Sequence, residues 1–400
     1  MEDKKIKLAI FAVGALLRLS MTWRYDASWG FDGGAHWAYI QAISHGTLPD
    51  PTINFIAYHP PLYHAIAAGL VKLGASWQGL IWLSVACGVG RLAIIWAGLE
   101  TCLESRKGRI AALALAAVMP SSIMIDGMVS NESLNGLLCA AAMLLWLKGK
   151  SSLAIGMLSG LAMLVKTSAI AMLAGFGVRR RLMAAAVCLA VIPGLYLLRG
   201  HSPFSTTYEI APGMMGHVEI NTPYLSRRGL DFLGWDWRIF QNPYHPTALP
   251  GFFPVLVAST FTDNLNHGFS GLPPERPREM TVNGRPMTRP LMWLARLAMA
   301  GGTLIFIGTF AAWLLSVRRV IRDEKWDLLS LLIVPLLATL LAMAFAVKYP
   351  YDNHGVIKSA YVQFAAPPLY AMFGLAAERW PALWAGLALV AAYSFYCRLI

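Results

Sequence analysis

Charged residues are scarce in this chain. Of its 400 residues only 14% are charged, whereas 57% are hydrophobic, and the mean hydropathy is +0.53. Soluble domains carry about a quarter charged residues, so this composition leaves too little polar surface to coat a soluble core. It excludes a cytosolic enzyme, a disordered protein and a secreted disulfide scaffold. A polytopic helical membrane protein remains, because the 35 Gly and 23 Pro are tolerated in membrane helices.

Several motifs are also missing. The five cysteines have no Cys-x-x-Cys spacing, which argues against a disulfide framework and against a zinc site. Gly-x-x-x-x-Gly-Lys does not occur, so no phosphate loop for a nucleotide is indicated. The net charge of +12 is spread in short clusters between apolar runs. That pattern indicates membrane topology rather than nucleic-acid binding.

The apolar runs predict an all-α fold with about eleven transmembrane segments, since a span needs about 20 apolar residues. One further run, 152–178, is interrupted by Lys166 and is interpreted as a helical hairpin. The uninterrupted candidates are 8–23, 77–99, 110–126, 133–147, 182–198, 291–316, 328–347, 357–377 and 382–397.

Basic clusters separate these runs and set the expected orientation. They are Lys4/Lys5/Lys7, Arg106/Lys107/Arg109, Lys148/Lys150, Arg179/Arg180/Arg181 and Arg318/Arg319/Arg322/Lys325. With a cytoplasmic N-terminus every cluster lies in the cytoplasm, as the positive-inside rule requires. Each hairpin arm is about 13 residues, or about 20 Å, which is too short to cross. The hairpin turn is therefore expected at or below the outer membrane surface.

This topology leaves two sizeable external regions, 24–76 and 199–290. All nine histidines fall on the external side, although they were not used to derive the topology. We therefore expect the chemistry on the external face, with a bacterial inner membrane as the expected location. The chain divides into an N-terminal catalytic module (1–198), a loop that caps the active site (199–290) and C-terminal helices (291–400).

The first external region predicts two short surface helices. Asp32 suits an N-cap and Gly46 suits the position after a helix end, with amphipathic spacing between them. Asp32 and His36 are four residues apart and can meet on one face. A second short helix, 62–74, is expected after Pro60-Pro61, and the proline holds His59 in an extended conformation.

These residues resemble the GT-C membrane glycosyltransferases that use polyprenyl-phosphate sugars. That group includes protein O-mannosyltransferases, lipid A aminoarabinose transferases and galacturonosyltransferase-like domains. The resemblance covers residues 1–200 well and 340–375 loosely, with Ala360 where the family commonly has Arg. It consists of Asp32, Gly46-Thr-Leu-Pro49, His59-Pro-Pro-Leu-Tyr63, Pro120, Val129-Ser-Asn-Glu132, the hairpin 156–167 and Ile357-Lys-Ser-Ala-Tyr361.

The chemistry and the resemblance together assign roles to these residues. Inverting transfer needs a base for the acceptor hydroxyl proton, and Asp32 is the expected base. The leaving lipid phosphate needs positive charge, for which the candidates are Lys166, His59, Lys358 and Arg24. A lysine at membrane depth usually serves a site, and the lipid phosphate is the anion expected to face Lys166.

Further polar residues are expected to bind the acceptor or to orient the base. They are His36, Asp126 and Glu132, and the two carboxylates could instead only cap the following helix. No cofactor is expected. A divalent metal held by Asp32, Asp126, Glu132 and His36 remains an alternative, but the first external region has no Asp-x-Asp or Asp-Glu pair.

The predicted function is an inverting transfer of a sugar from a polyprenyl-phosphate donor to a hydroxyl group of a lipid, glycan or protein. One alternative is a metal-dependent transferase with a lipid-diphosphate donor. Another is a transporter or lipid flippase, which should show a second broken segment in the other half of the chain. Membrane lipids are the other expected partners, and no nucleic acid is expected.

Overall fold

The computed structural model of the chain describes a protein that is almost entirely helical. The described residues are 2–30, 32–50, 54–175, 232–241, 243, 251–262, 281–282, 285–286, 288–348 and 357–399. The only described strands form a two-residue antiparallel pair, β1 (Thr281–Val282) and β2 (Arg285–Pro286). The predicted span 182–198 and the run 199–231 lie outside the described residues.

The helices occur in three groups along the chain. The first group is α1 (Glu2–Leu19), α2 (Met21–Arg24), α3 (Gly33–Ser44), α4 (Leu62–Lys72), α5 (Ile81–Cys102), α6 (Arg106–Val118) and α7 (Pro120–Gly127). The second is α8 (Glu132–Leu147), α9 (Ser152–Val165), α10 (Ala171–Gly175) and α11 (Phe252–Phe261). The last is α12 (Arg289–Arg322), α13 (Trp326–Lys348), α14 (Pro367–Arg379) and α15 (Ala382–Leu399).

Four described helical stretches are long and apolar enough to cross a membrane. They are Glu2–Arg24, Gln78–Cys102, Arg289–Arg322 and Leu328–Val347. A fifth is possible if α6 and α7 form one broken span, because they are bent by 45°. The polytopic membrane class is therefore confirmed, whereas the count of about eleven segments stays a prediction.

The two short helices of the first external region form as predicted. Asp32 is the N-cap of α3, and Gly46 follows the helix with φ 84°, a conformation that glycine adopts without a Cβ clash. α4 begins directly after Pro61. α3 and α4 pack on each other through a buried cluster that includes Ile40 and Tyr63.

The predicted span 357–377 is wrong. Residues Ser359–Ala365 form a 3₁₀ helix, and α14 starts only at Pro367. Two consecutive prolines cannot donate backbone hydrogen bonds, and they disfavour helix in the preceding residue. The 3₁₀ segment therefore stays short, and it packs on α8 and α13.

A second proline break lies between α6 and α7, and Arg18 supplies hydrogen-bond donors to the carbonyls that the break leaves free. Pro120 has no N–H for the carbonyl of Ala116, so carbonyls at the end of α6 lose their helical partners. The Arg18 guanidinium donates to the carbonyls of Ala116 (3.2 Å) and Ala117 (3.0 Å), and Ser394 donates to Val118 (2.6 Å).

Asp126 holds this arginine in place. Arg18 Nε lies 2.8 Å from Asp126 Oδ2, and Arg91 Nη2 lies 3.0 Å from both carboxylate oxygens. The Arg18 and Asp126 side chains are only 2% and 0% exposed. Such a buried group costs free energy unless it is paired and hydrogen-bonded. Asp126 therefore joins α1, α5 and α7, and both its oxygens face arginines rather than an open cavity.

Replacing Arg18 by Met should strongly destabilise the protein. The variant leaves two carbonyls of α6 without donors and Asp126 with one arginine, and breaking such a buried pair typically costs about 3–5 kcal/mol. The melting temperature in detergent should fall well below that of Arg106→Met. Arg106 is 52% exposed in its ion pair with Asp3, and such pairs contribute about 0–1 kcal/mol. Equal melting temperatures for the two variants would contradict a structural role of the triad.

One end of the bundle carries an ion-pair network. Lys7 lies 2.6 Å from both Asp3 and Glu100, Arg109 lies 3.3 Å from Glu100, and Arg106 lies 3.4 Å from Asp3. The network joins the start of α1, the end of α5 and the start of α6. Two of the basic clusters therefore lie at the same end of the bundle, as the charge pattern predicted. We call it the basic end.

Candidate functional site

At the other end of these helices, two lysines approach the ring of Tyr361. Lys166 Nζ lies 4.7 Å from the ring centroid, and Lys358 Nζ lies 5.8 Å from it. A cation at this distance is attracted to the negative face of the ring. Phe345 packs edge-on against Tyr361 at 5.5 Å and holds the ring in place.

The chain break at Lys166 directs its side chain away from the helix. α9 ends at Val165, and Lys166 is extended with φ −156° and ψ 126°. Asn131, the N-cap of α8, donates from Nδ2 to the carbonyl of Val165 at 3.1 Å. This bond joins the end of α9 to the start of α8, where Glu132 is the first residue.

Lys166 forms an ion pair with Glu132. The two side chains are 9% and 11% exposed, so the pair is largely removed from water. From the sequence, the lipid phosphate was the expected partner of Lys166. Glu132 was expected to bind the acceptor. The structure supplies a partner for this lysine from the protein itself and brings both residues into one cluster.

Asp32 faces the same space. It is exposed, it makes no side-chain bond to α3 although it occupies the N-cap, and its φ of 52° is left-handed. Burial lowers the pKa of Lys358, and the Asp32 carboxylate opposes that change. Burial is also the main cause that raises the pKa of Tyr361, and the negative charges of Asp32 and Glu132 raise it further. An exposed carboxylate therefore lies within electrostatic reach of Lys358 and Tyr361.

His36 pairs with His64 rather than with Asp32. Its Nδ1 lies 2.9 Å from His64 Nε2, and the two rings stack at 5.2 Å. Tyr39 stacks on the ring of His64, with centroids 4.0 Å apart. Burial lowers the pKa of His36 to about 4, although the Asp32 charge opposes this. His36 is therefore neutral at pH 7, and its Nδ1 contacts His64 rather than the predicted partner Asp32.

The melting temperature should fall as the pH is lowered from 6.5 towards 4. The unfolded state binds a proton near pH 6.5, whereas folded His36 binds one only near 4. Stability from the neutral ring is therefore complete above pH 6.5 and is lost between the two values, by up to about 1.4 kcal/mol per pH unit. His36→Gln should flatten this dependence, and His45→Gln, at an exposed position of the same segment, should not. An unchanged slope in His36→Gln would assign the titration to another group.

His59 and Arg24 behave differently from each other. His59 is extended before Pro60 (φ −67°, ψ 148°), and its buried Nδ1 has no hydrogen-bond partner. Burial and then the charge of Lys166 hold the pKa of His59 well below its usual value, so this ring also lies near the lysine. Arg24 ends α2, and among the described residues no hydrogen bond or ion pair joins its side chain to the cluster.

Two members of the cluster were not selected from the sequence. Tyr361 belongs to the Lys358-Ser-Ala-Tyr motif, and an aromatic residue three positions after a lysine could have indicated a contact between the two side chains. His64 stood in the His-Pro-Pro-Leu-Tyr-His segment, but its pairing with His36 joins two helices and carried no local signal. Within the described residues no group of three or more His, Cys, Asp or Glu side chains could hold a metal ion.

The sequence profile of the dolichyl-phosphate-mannose-protein mannosyltransferase family matches residues 58–198. This stretch is less than half of the chain, but it includes His59, Glu132 and Lys166. The match confirms the resemblance to membrane glycosyltransferases that use lipid-phosphate sugars. Asp32 and Lys358 lie outside it. No curated protein sequence gives a significant match.

The solved structures similar to this chain include those of the oligosaccharyltransferase from Archaeoglobus fulgidus. The apo form has a TM-score of 0.47 at 12% identity and covers 97% of this chain and 56% of its own. The form tethered to an acceptor peptide has a TM-score of 0.48 at 14% identity, with 98% and 55% covered. The chain therefore spans about half the length of the oligosaccharyltransferases that it is similar to.

Proposed function

We propose that this chain is an integral-membrane glycosyltransferase that moves a sugar from a polyprenyl-phosphate donor to a hydroxyl acceptor, with inversion at the anomeric carbon. The observation that supports this most directly is the cluster around Tyr361. It combines one exposed carboxylate, Asp32, with two lysines, Lys166 and Lys358. A base and a cationic phosphate site are the two groups that this reaction requires.

The proposed reaction proceeds in one displacement. The acceptor oxygen attacks the anomeric carbon of the donor sugar, and the bond from that carbon to the phosphate oxygen breaks. The acceptor hydroxyl proton passes to the Asp32 carboxylate. The electron pair of the broken bond stays on the polyprenyl phosphate, whose negative charge the two lysines stabilise.

Further side chains complete the proposed site. The unpartnered Nδ1 of His59 can hydrogen-bond to the donor phosphate, since a buried polar atom gains most from a new partner. The ion pair with Glu132 holds the Lys166 side chain in place in the absence of donor. The paired rings of His36 and His64 hold α3 against α4, and thereby position the loop that carries Asp32.

The chemistry of the site favours a monophosphate donor over a lipid diphosphate. A single phosphate can be neutralised by lysines, whereas a diphosphate transferase would hold a divalent cation between several carboxylates. Two of the three carboxylates considered as metal ligands already have cationic partners in the protein. Glu132 pairs with Lys166, and Asp126 pairs with Arg18 and Arg91.

Mass spectrometry of lipid-linked sugars and envelope glycans, from cells with and without this protein, tests the proposal. Cells that lack it should accumulate one polyprenyl-phosphate sugar and lose one glycan modification. With purified protein, that donor should release free polyprenyl phosphate only when acceptor is present. We expect this transfer to survive EDTA. Transfer that is lost with EDTA and restored by magnesium would favour a diphosphate donor, and donor that crosses vesicles unchanged would indicate a transporter.

A further inference from the structure

A cavity lies far from the Tyr361 cluster, at the basic end of the bundle. It has a volume of about 500 Å³ and is enclosed by α5, α8, α12, α13 and α14. The helix α8 begins with Glu132 in the proposed active site and ends with Leu147, which lines this cavity. At 1.5 Å per residue the two places are about 23 Å apart along that helix.

The walls of this cavity are apolar and deep. Leu99, Met143, Leu331 and Leu332 are buried members of the core and also line the cavity. The cavity follows α14 from Pro367 to Arg379, a rise of about 18 Å. The hydrocarbon of one bilayer leaflet is about 15 Å deep. Length, volume and lining therefore fit one acyl chain.

The rim of the cavity carries charges of both signs. Glu104, Lys325, Glu378 and Arg379 are exposed at the rim, and none of the four forms an ion pair with another described residue. Arg319 and Asp323 also line the cavity, but they pair with each other at 3.6 Å. The remaining two anions and two cations match a headgroup that itself carries both signs. A phosphate can bind the two cations by charge-assisted hydrogen bonds, and an ammonium can bind the two carboxylates.

From this arrangement we infer that the cavity is a binding site for a zwitterionic, amine-bearing phospholipid from the leaflet at the basic end. One acyl chain lies between α5, α8 and α14, and the headgroup lies at the charged rim. The donor of the proposed transfer reaction is expected at the opposite end of α8. The lipid site therefore does not depend on the proposed function.

Native mass spectrometry in mild detergent tests this inference with dioleoyl phosphatidylethanolamine as probe and dioleoyl phosphatidylglycerol as comparison. Gly98 lines the cavity, and a Cβ there would meet only Leu147 Cδ1 at 3.9 Å. Gly98→Leu therefore fills the space without a backbone clash, and it replaces a poor helix former by a good one. Gly69→Leu is the control, because Gly69 lies in a helix with open space around it.

Wild-type protein and Gly69→Leu should retain one phosphatidylethanolamine, and Gly98→Leu should bind it at least about tenfold more weakly. The melting temperature of Gly98→Leu without lipid reports that the variant is folded. Equal retention by folded Gly98→Leu and wild type would place the lipid on the outer surface and overturn the proposal.

The rim makes a separate prediction about the headgroup. Lys325→Gln with Arg379→Gln should weaken retention, whereas Lys148→Gln with Lys150→Gln should not. The second pair removes two exposed cations next to the end of α8 that do not line the cavity. If phosphatidylglycerol binds as tightly as phosphatidylethanolamine, or if the rim variants retain lipid normally, the assignment of a zwitterionic headgroup fails.

Discussion

Asp32→Asn should reduce sugar transfer by about 10²–10⁴-fold, the contribution typical of a positioned general base. The amide cannot accept the acceptor proton at neutral pH, but it has nearly the size of the carboxylate. The backbone favours this exchange. Asp32 has φ 52°, and Asn is one of the few residues that tolerate the left-handed region. Donor binding and melting temperature should therefore change little while turnover collapses.

Asp26→Asn is the matched control. Asp26 lies in the same external segment, is exposed, and caps the turn Ala27–Trp29 through the N–H of Ser28. Asn can cap that turn as well, so turnover should remain near that of the wild type. Turnover of purified Asp32→Asn above about a tenth of the wild-type value would show that Asp32 is not the base. Equal losses in both variants would point to a fold defect of the segment.

Local chemistry made much of the first 170 residues predictable. The bounds of α3 follow from a polar N-cap and a glycine after the helix end. The break after α9 follows from a charged residue between two apolar runs. In each case the signal lies within one or two helical turns, where hydrogen bonding and hydropathy decide the conformation.

Pairings between distant segments were not predictable in the same way. Glu132 and Lys166 are 34 residues apart, and His36 and His64 are 28 apart. Their sequence neighbours do not specify which partner each side chain meets. Asp126 was predicted to bind the acceptor or to cap a helix, because nothing near it in the sequence indicates its partners. Those partners, Arg18 and Arg91, lie within α1 and α5. Arginines in apolar runs were nevertheless a signal, because a charge at membrane depth requires a partner.

Lys166→Met should weaken donor binding by about 10–100-fold, since a hydrogen bond to a charged group contributes about 1.5–3 kcal/mol. The substitution keeps the length of the side chain and removes its charge. From the sequence alone, the empty protein would be as stable without this lysine. The ion pair with Glu132 reverses that expectation, because the variant leaves a largely buried carboxylate without a partner. The melting temperature without donor should therefore fall.

The double variant Lys166→Met with Glu132→Gln separates the two effects. A neutral glutamine needs no counter-ion, so the melting temperature should recover towards that of the wild type. Donor binding should stay weak, because the cation that meets the phosphate is still absent. Lys358→Met should weaken donor binding as well, since Lys358 approaches the same ring from its own segment.

The pattern across these variants distinguishes the roles of Lys166. If Lys166 serves only as the partner of Glu132, the double variant regains donor affinity together with stability. That result would contradict the proposal that Lys166 binds the donor phosphate. If it binds the phosphate, affinity and melting temperature separate in the double variant. Coupling between the two substitutions should then appear in the free energy of unfolding and be absent from the free energy of donor binding, as expected when one partner acts on the fold and the other also acts on the ligand.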